Sequence, residues 1–319
     1  MREIVVCGEA LVDVVTDPRR AGTPERPGVM APMHPALGGG PFNVAVALGR
    51  LGSAVSFCSR VSTDGLGEQL VAALTAAGVD LTLLQRGPEP TSLALASIGE
   101  SGAAEYTFYV DGTADRLVTD PGELPRSVAA LCFGTLSLVL EPGAGVYEGL
   151  MIRAHREGRA VLLDPNIRAA VIGEAGADAY RARFRSWLGS VDVLKVSDDD
   201  AEWLAEGPQG SGPRDWLAAG VGVVVITAGG AGLTVLTAHG AVTVTPPTVE
   251  VADTIGAGDT VAAALLHWLG DHGALGQAEV RALDEEQWTR ALTHAARAAA
   301  VTVSRPGADP PWAGELSSD

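Results

Sequence analysis

Lysine is almost missing from this chain: among 319 residues there is one, Lys195, and the 22 basic residues are outnumbered by 39 acidic ones, giving a net charge of −17. The acidic residues are spread along the chain, so nucleic acid or an anionic membrane would be repelled, and neither is an expected partner. Cysteine is scarce as well. Cys7, Cys58 and Cys132 each sit inside an apolar run, and an odd number without regular spacing argues against a disulfide framework and against zinc. No uncharged apolar stretch reaches the ~18 residues that a membrane-spanning helix needs. Glu9 and Asp13 interrupt the apolar N-terminal run, which argues against a secretory leader and makes the cytoplasm the expected compartment. Gly-x-x-x-x-Gly-Lys-Ser/Thr occurs nowhere, and the first strand leads into Gly8-Glu-Ala rather than Gly-x-Gly-x-x-Gly. A Walker-type phosphate loop is thereby excluded, and a dinucleotide-binding Rossmann enzyme is disfavoured. There is no internal repeat and no low-complexity tract.

What is present suits one large α/β domain with a small appendage: 47% hydrophobic and 19% charged residues. Ile4–Val6 and Leu11–Val15 read as a buried strand running on into a second one. Asp17–Pro35, rich in Pro, Gly and Arg, reads as a surface excursion, and Thr91–Val110 as a hairpin turning at Gly99–Gly102. Asn43–Leu51 and Gly67–Ala77 have helical spacing. From Ala129 onward, short apolar strands (Ala130–Phe133, Ala160–Asp164, Val191–Lys195, Val223–Thr227) alternate with helices. This pattern predicts a parallel sheet covered on both faces. A late hairpin, Thr234–Thr237 with Ala241–Val244, precedes two helical stretches, Asp259–Leu269 and Glu286–Val303.

In such sheets ligands bind beyond the C-terminal strand ends, where loops run into helix N-termini. The most informative loop is Asp253-Thr-Ile-Gly-Ala-Gly-Asp259-Thr260, followed at once by an apolar helix. Small residues at a helix N-terminus expose amides that can cradle phosphate oxygens. An aspartate there would repel phosphate unless it serves to take a proton from the attacking group. The plainer alternative is that Asp259 caps the helix.

That loop resembles the C-terminal signature of the PfkB (ribokinase-like) carbohydrate kinases, and Gly38-Gly-Gly-Pro-Phe-Asn43-Val-Ala-Val-Ala-Leu-Gly-Arg-Leu-Gly52 resembles their N-terminal signature. Order and separation match, so the resemblance spans nearly the whole chain. It implies a ribokinase-like α/β sandwich with a central, mostly parallel sheet flanked by helices. A small β-sheet lid would be inserted at about residues 14–35 and 91–111 of a single domain covering 1–319, with a homodimer forming through the lid. It further implies Asp259 as catalytic base, Gly256, Ala257 and Gly258 as the anion hole for the γ-phosphoryl charge, and ATP with Mg²⁺ as cosubstrate and cofactor.

Other landmarks carry over residue by residue. Gly8-Glu-Ala-Leu-Val-Asp13 matches the opening strand, whose aspartate binds sugar hydroxyls in the family; a lone Asp in that place is otherwise a turn residue. Gly39 and Gly40 let backbone approach a sugar. Asn43 offers it a donor and an acceptor, or caps the helix. Asp164-Pro-Asn166-Ile-Arg168 resembles an element of the fructokinase and ketodeoxygluconate kinase branches. It assigns Asn166 to the substrate and Arg168 to the phosphoryl group or an anionic substrate, against the default of a solvated loop arginine.

Lys195-Val-Ser197-Asp-Asp-Asp200 occupies the place of the family's Asn-x-x-Glu element, with Lys195 and Ser197 toward the nucleotide and Asp200 toward Mg²⁺ through water. Thr227-Ala-Gly229-Gly-Ala-Gly232 matches the nucleotide loop, although a tight turn into the following hairpin would explain its glycines equally well. Asp253 and the turn at Arg305-Pro-Gly307-Ala308 match a region that holds a monovalent cation such as K⁺ in many members; Pro310-Pro311 removes donors there.

Glu105-Tyr-Thr-Phe108-Tyr109-Val-Asp-Gly-Thr-Ala-Asp115 resembles fructokinases, with Phe108 or Tyr109 stacking on the sugar. Ketodeoxygluconate kinases carry an arginine after the paired aromatics, where this chain has Val110 and Asp111. Asp13, Asp111 and Asp115 under the lid would disfavour a sugar acid, so fructose is the expected acceptor. 2-Keto-3-deoxygluconate and nucleosides are the alternatives. A non-catalytic sugar- or nucleotide-binding protein on this fold would lack the base, and Asp259 is present.

Overall fold

The computed structural model describes residues 2–16, 33–98, 104–207 and 210–316. Two sheets organise it. The larger has nine strands in the order β13-β12-β11-β10-β9-β8-β1-β4-β5. Its strands are β1 (Glu3–Cys7), β4 (Val55–Ser62), β5 (Leu84–Gly87), β8 (Val128–Gly134), β9 (Ala160–Asp164), β10 (Val193–Ser197), β11 (Val223–Thr227), β12 (Leu233–Leu236) and β13 (Ala241–Val244). All neighbours pair in parallel except β11 with β12 and β12 with β13. The smaller sheet has the order β3-β2-β6-β7, from β2 (Leu11–Thr16), β3 (Met33–Gly38), β6 (Ser92–Ile98) and β7 (Ala104–Tyr109).

Strands buried on both faces need apolar residues at successive positions, and β1 shows the result. Ile4 and Val6 pack into one core cluster, while Val5 and Cys7 pack into the other on the opposite face. The first cluster is sealed by three helices, Gly40–Arg50, Ala257–Asp271 and Glu285–Val303. Ala262, Ala263, Ala264, Ala295, Ala296 and Ala298 are at most 1% exposed between them. Such small side chains let helices approach closely, which is the packing expected of the alanine-rich C-terminal stretch.

The expected β9 and β11 are found at their expected limits. Other boundaries move. The helix read from Asn43 begins at Gly40, because Pro41 suits the first helical turn and Gly39 takes φ 104° as the residue before it. Asn43 is therefore inside the helix and does not cap it. Strand β5 was not anticipated, since Leu-Gln-Arg-Gly has no alternation to signal it. The Gly99–Gly102 turn and most of the Asp17–Pro35 excursion lie outside the described residues. Cys7, Cys58 and Cys132 are free and buried. Among the described residues no helix is long and apolar enough to cross a membrane.

In the small sheet Asp13 aligns with Ala94, and Ala94 with Phe108. Aligned residues share a face, so the carboxylate and the ring stand on one side of the sheet with a small alanine between them.

Candidate active site

The C-terminal ends of the parallel strands and the cleft-facing side of the small sheet enclose a cleft of about 380 Å³. Asp13, Phe108 and Tyr106 line it from the small sheet; Gly39, Gly40, Asn43, Asn166, Arg168, Gly256, Gly258 and Asp259 line it from the body. Residues from segments far apart in sequence, all selected from motifs, thus meet at one place.

Asp259 is 8% exposed. It is the third residue of helix Ala257–Asp271, whose N-terminal boundary residue is Gly256 at φ 76°, and no side chain caps that end. The capping alternative for Asp259 is excluded by this position. Its Oδ2 instead accepts a hydrogen bond from Asn43 Nδ2 at 2.8 Å. Burial pushes its pKa up to about 6; the Asn43 bond opposes the shift, the Asp164 carboxylate adds to it, and Lys195 and Arg168 oppose it. The amides of Gly258 and Asp259 have no backbone acceptor among the described residues, as first-turn amides require if they are to receive an anion.

Two glycines are fixed by space here. A Cβ on Gly40 would lie 2.5 Å from Thr135 Oγ1 and 3.3 Å from both Asn166 Nδ2 and Asp259 Oδ1. One on Gly258 would lie 2.8 Å from Lys195 Nζ. Lys195 therefore sits directly beneath the helix N-terminus. It is 4% exposed, lines neither cleft, and donates to Asp164 Oδ2 at 2.7 Å. Opposing charge and hydrogen bonding outweigh burial and raise the lysine's pKa, so the ammonium stays charged.

The loop after β9 is shaped from outside. Asp200 Oδ1 accepts from the Ile167 amide at 3.0 Å, while the Asp200 amide donates to Ser197 Oγ at 3.0 Å in a capping box for helix Asp198–Ala205. Asn166 takes φ 41°, an uncommon conformation for a non-glycine residue, and its Oδ1 accepts from Arg168 Nη1 at 2.7 Å. Burial raises the Asp13 pKa to about 6 against the opposing charge of Arg168.

A second cleft of about 430 Å³ lies on the other side of the same loop. Thr227, Gly229 and Gly232 line one wall, and Pro246, Val251, Val261, Ala296, Ala300 and Val303 form an apolar one. Thr254 and Gly258 line both clefts. A planar apolar group in the second cleft and a polyol in the first would thus have their reacting ends at Gly258 and Asp259.

Among the described residues no three His, Cys, Asp or Glu side chains are arranged to hold a metal ion. Asp200 is engaged as above. Asp253 Oδ1 accepts from the Ile255 amide at 3.0 Å and Oδ2 from the Gly307 amide at 2.9 Å, which ties the loop leading into helix Ala257–Asp271 to the C-terminal turn.

The reading of the acidic residues under the small sheet needs correcting. Asp111 is solvent-exposed and pairs with Arg116 at 2.8 Å, and Asp115 is buried on Ser92 Oγ at 2.5 Å, so neither lines the cleft. Glu9 does line it and was overlooked. Thr135 was also missed: it takes φ 59°, costly for a β-branched residue, and nothing in a Phe-Gly-Thr-Leu sequence announces such strain.

Residues 1–313 match the family model described as pfkB family carbohydrate kinase. A fructokinase of Rhizobium leguminosarum bv. trifolii is 36% identical over 286 residues, which is 89% of this chain and 84% of the relative. Among solved structures, the fructokinase of Xylella fastidiosa with bound ATP is 25% identical with a TM-score of 0.87, over 99% of this chain and 97% of that one. The fructokinase of Vibrio cholerae O395 bound to fructose, ADP and calcium ion is 25% identical with a TM-score of 0.78, over 97% of this chain and 94% of that one; a double mutant of it binds fructose, ADP and potassium ion. The architecture is the expected ribokinase-like α/β fold with a four-stranded lid sheet. With both signatures converging on one cleft and the family model matching nearly end to end, the chain belongs to the pfkB family of carbohydrate kinases.

Proposed function

We propose that the protein transfers the γ-phosphoryl group of ATP to a hydroxyl of fructose, with Asp259 accepting the hydroxyl proton. The observation that carries this reading is the place of Asp259: a buried carboxylate beside unpaired helix amides, where two clefts meet. A carboxyl raised to about 6 is still ionised at neutral pH, yet is a stronger base than an exposed aspartate. Asp13, Asn166 and the backbone at Gly39 and Gly40 hold the sugar hydroxyls, and Phe108 covers an apolar face of the ring.

Proton removal leaves an alkoxide aimed at the γ-phosphorus. The amides of Gly258 and Asp259, the helix N-terminus and the Lys195 ammonium beneath them stabilise charge developing on the phosphoryl oxygens. The nucleotide lies along Thr227–Gly232 with its base against the apolar wall of the second cleft. Magnesium neutralises phosphate charge during such transfers. Among the described residues no cage of side chains is built for it, and Asp200, engaged by the Ile167 amide, would help hold the ion through water.

A neutral acceptor is favoured because the sugar cleft presents Asp13 and Asp259 against Arg168, the one cation lining it among the described residues. A sugar carboxylate would compete with Asp13 for that cation. The relatives named fructokinase, and the Vibrio cholerae protein that holds fructose, support the same choice. The test is a panel of sugars, sugar acids and nucleosides assayed by coupled ADP release. Fructose should exceed 2-keto-3-deoxygluconate in kcat/KM by about tenfold or more, a difference of ~1.4 kcal/mol in transition-state stabilisation. A sugar acid turning over faster would overturn this reading and make Arg168 the carboxylate's partner.

A further inference from the structure

The chain enters and leaves the small sheet twice, and the four crossings converge on one cluster behind the sugar cleft. The first crossing, between β1 and β2, contains Glu9. The second, between β3 and the helix Gly40–Arg50, contains Gly39, where a Cβ would lie 2.8 Å from the Glu9 carbonyl oxygen. The third enters β6 at Ser92, and the fourth leaves β7 through Thr113 and Asp115. Ser92 Oγ donates to Asp115 Oδ1 at 2.5 Å, and Thr113 Oγ1 lies 2.8 Å from the same oxygen. Glu9 and Asp115 line a shared cavity of about 10 Å³ with Arg116, Ser137 and Tyr147, near the lower limit of roughly 10–15 Å³ for one water.

Glu9 is 2% exposed. Its Oε2 accepts from the Ser137 amide at 3.0 Å, and its Oε1 is buried without a partner among the described residues. The guanidinium of Arg116, the one cation at the cavity among the described residues, is bound elsewhere, to Asp111 and to the carbonyls of Val110 and Glu141. Two buried carboxyls that share a cavity without a free cation cannot both ionise cheaply, so one keeps a proton. Burial raises the Asp115 pKa as well, but hydrogen bonds from the Ser92 and Thr113 hydroxyls oppose that shift and favour its ionised form. Glu9 is the natural holder, and a proton on Oε1 gives that oxygen something to donate. Burial pushes the Glu9 pKa up to about 8, with Asp115 adding to the shift and the Ser137 bonds opposing it.

We propose that Glu9 is a positioning residue for the sugar: as a neutral acid paired with Asp115 across the shared cavity, it ties the roots of the small sheet together and sets where Asp13 and Gly39–Asn43 stand. The inference rests on the sugar-kinase reading. The charged and titratable groups facing Glu9 are Asp115, Arg116 and Tyr147 at the cavity, and Asp13, Tyr106, Arg168 and Asp259 across the cleft. Raising the pH removes the Glu9 proton and sets two carboxylates against each other. The sheet roots then loosen and sugar affinity falls, while the anion hole is untouched.

Sugar-dependent ADP release, measured from pH 6.5 to 9.5 for wild type, Glu9→Gln, Glu9→Ala and Asp115→Asn, tests this. Wild-type turnover on a sugar establishes the underlying reading independently of the variants. The KM for that sugar should rise at least fivefold in wild type as pH passes about 8, with little change in kcat or in KM for ATP. Glu9→Gln, neutral at every pH, should keep the low KM and flatten the profile. Asp115→Asn should shift the rise to lower pH, because a neutral neighbour removes the repulsion that helps Glu9 keep its proton. Glu9→Ala should raise KM at pH 7. The proposal is overturned if Glu9→Gln loses sugar affinity as Glu9→Ala does, or if it keeps the alkaline rise in KM. Should Glu9→Ala fail to fold, the glutamine variant alone still decides between these outcomes.

Discussion

Asn43 Nδ2 donates to Asp259 Oδ2 at 2.8 Å across 216 positions of sequence. This single bond joins the two signature segments and fixes which carboxylate oxygen faces the cleft. It also holds down the pKa of Asp259 against burial. Replacing Asn43 with alanine should therefore raise that pKa and move the acid limb of the kcat/KM profile to higher pH. At neutral pH kcat should fall by about tenfold, the lower end of what a mispositioned base costs. An unchanged acid limb would show that the bond does not tune the base.

Asp259→Asn should lower kcat by roughly 10²–10⁴-fold with nucleotide affinity little changed. The same substitution should stabilise the fold. The Asp259 pKa is raised from 3.8 to about 6, so the folded state holds a proton that the unfolded chain releases, and stability declines as pH rises through that window. The amide escapes this cost, worth on the order of 1–3 kcal/mol above pH 6. Thermal unfolding at pH 4 and pH 7.5 measures it: the variant's advantage should be small at the first and larger at the second.

The pH dependence of wild-type turnover has its own signature. Asp13 and Asp259 both titrate at about 6, and the proposed reaction needs both ionised. Below pH 6, log kcat/KM should fall with a slope between one and two. Asp13→Asn should reduce the slope toward one while weakening sugar binding. A profile flat down to pH 5 would contradict both assignments.

Gly258→Ala places a methyl group at 2.8 Å from Lys195 Nζ. The lysine is buried on Asp164 and has little room to retreat, so either the ion pair or the helix N-terminus must move. Turnover should drop at least about tenfold, equivalent to ~1.4 kcal/mol, with the circular dichroism spectrum unchanged. Full activity would relocate the phosphate site away from this loop.

Both oxygens of Asp253 already receive backbone amides, from Ile255 and Gly307, and Pro310 and Pro311 lack donors. Replacing a large organic cation with K⁺ at constant ionic strength should change kcat/KM by less than about threefold, or ~0.7 kcal/mol. Strong activation would mean that the loop opens to bind the ion.

The signatures made Asn43, Gly258 and Asp259 legible because their glycines and polar residues interrupt otherwise apolar helix starts. The parallel strands were legible because double burial leaves apolar runs such as Ala160–Asp164. Asp111 and Asp115 were misplaced for a different reason. Sequence proximity to the aromatic pair says nothing about which side of a strand end a residue leaves from, and here one turns to solvent and the other behind the sheet. The strain at Thr135 and the commitment of Lys195 to Asp164 depend on contacts between distant segments, which no local pattern encodes.

The clefts on either side of the loop that leads into helix Ala257–Asp271 have Thr254 and Gly258 in common among their lining residues. If sugar and nucleotide occupy these clefts as proposed, acceptor choice and nucleotide choice are written in different parts of the chain. On that assignment, substitutions at Val15, Tyr106 or Phe108, which line the first cleft, would re-specify the acceptor while the wall formed by Pro246, Val251 and Val303 continued to receive the same donor. Changes to that wall leave the acceptor side intact in turn. A protein built this way can drift to a new sugar by altering a few side chains of the small sheet, without passing through forms that have lost the phosphoryl donor.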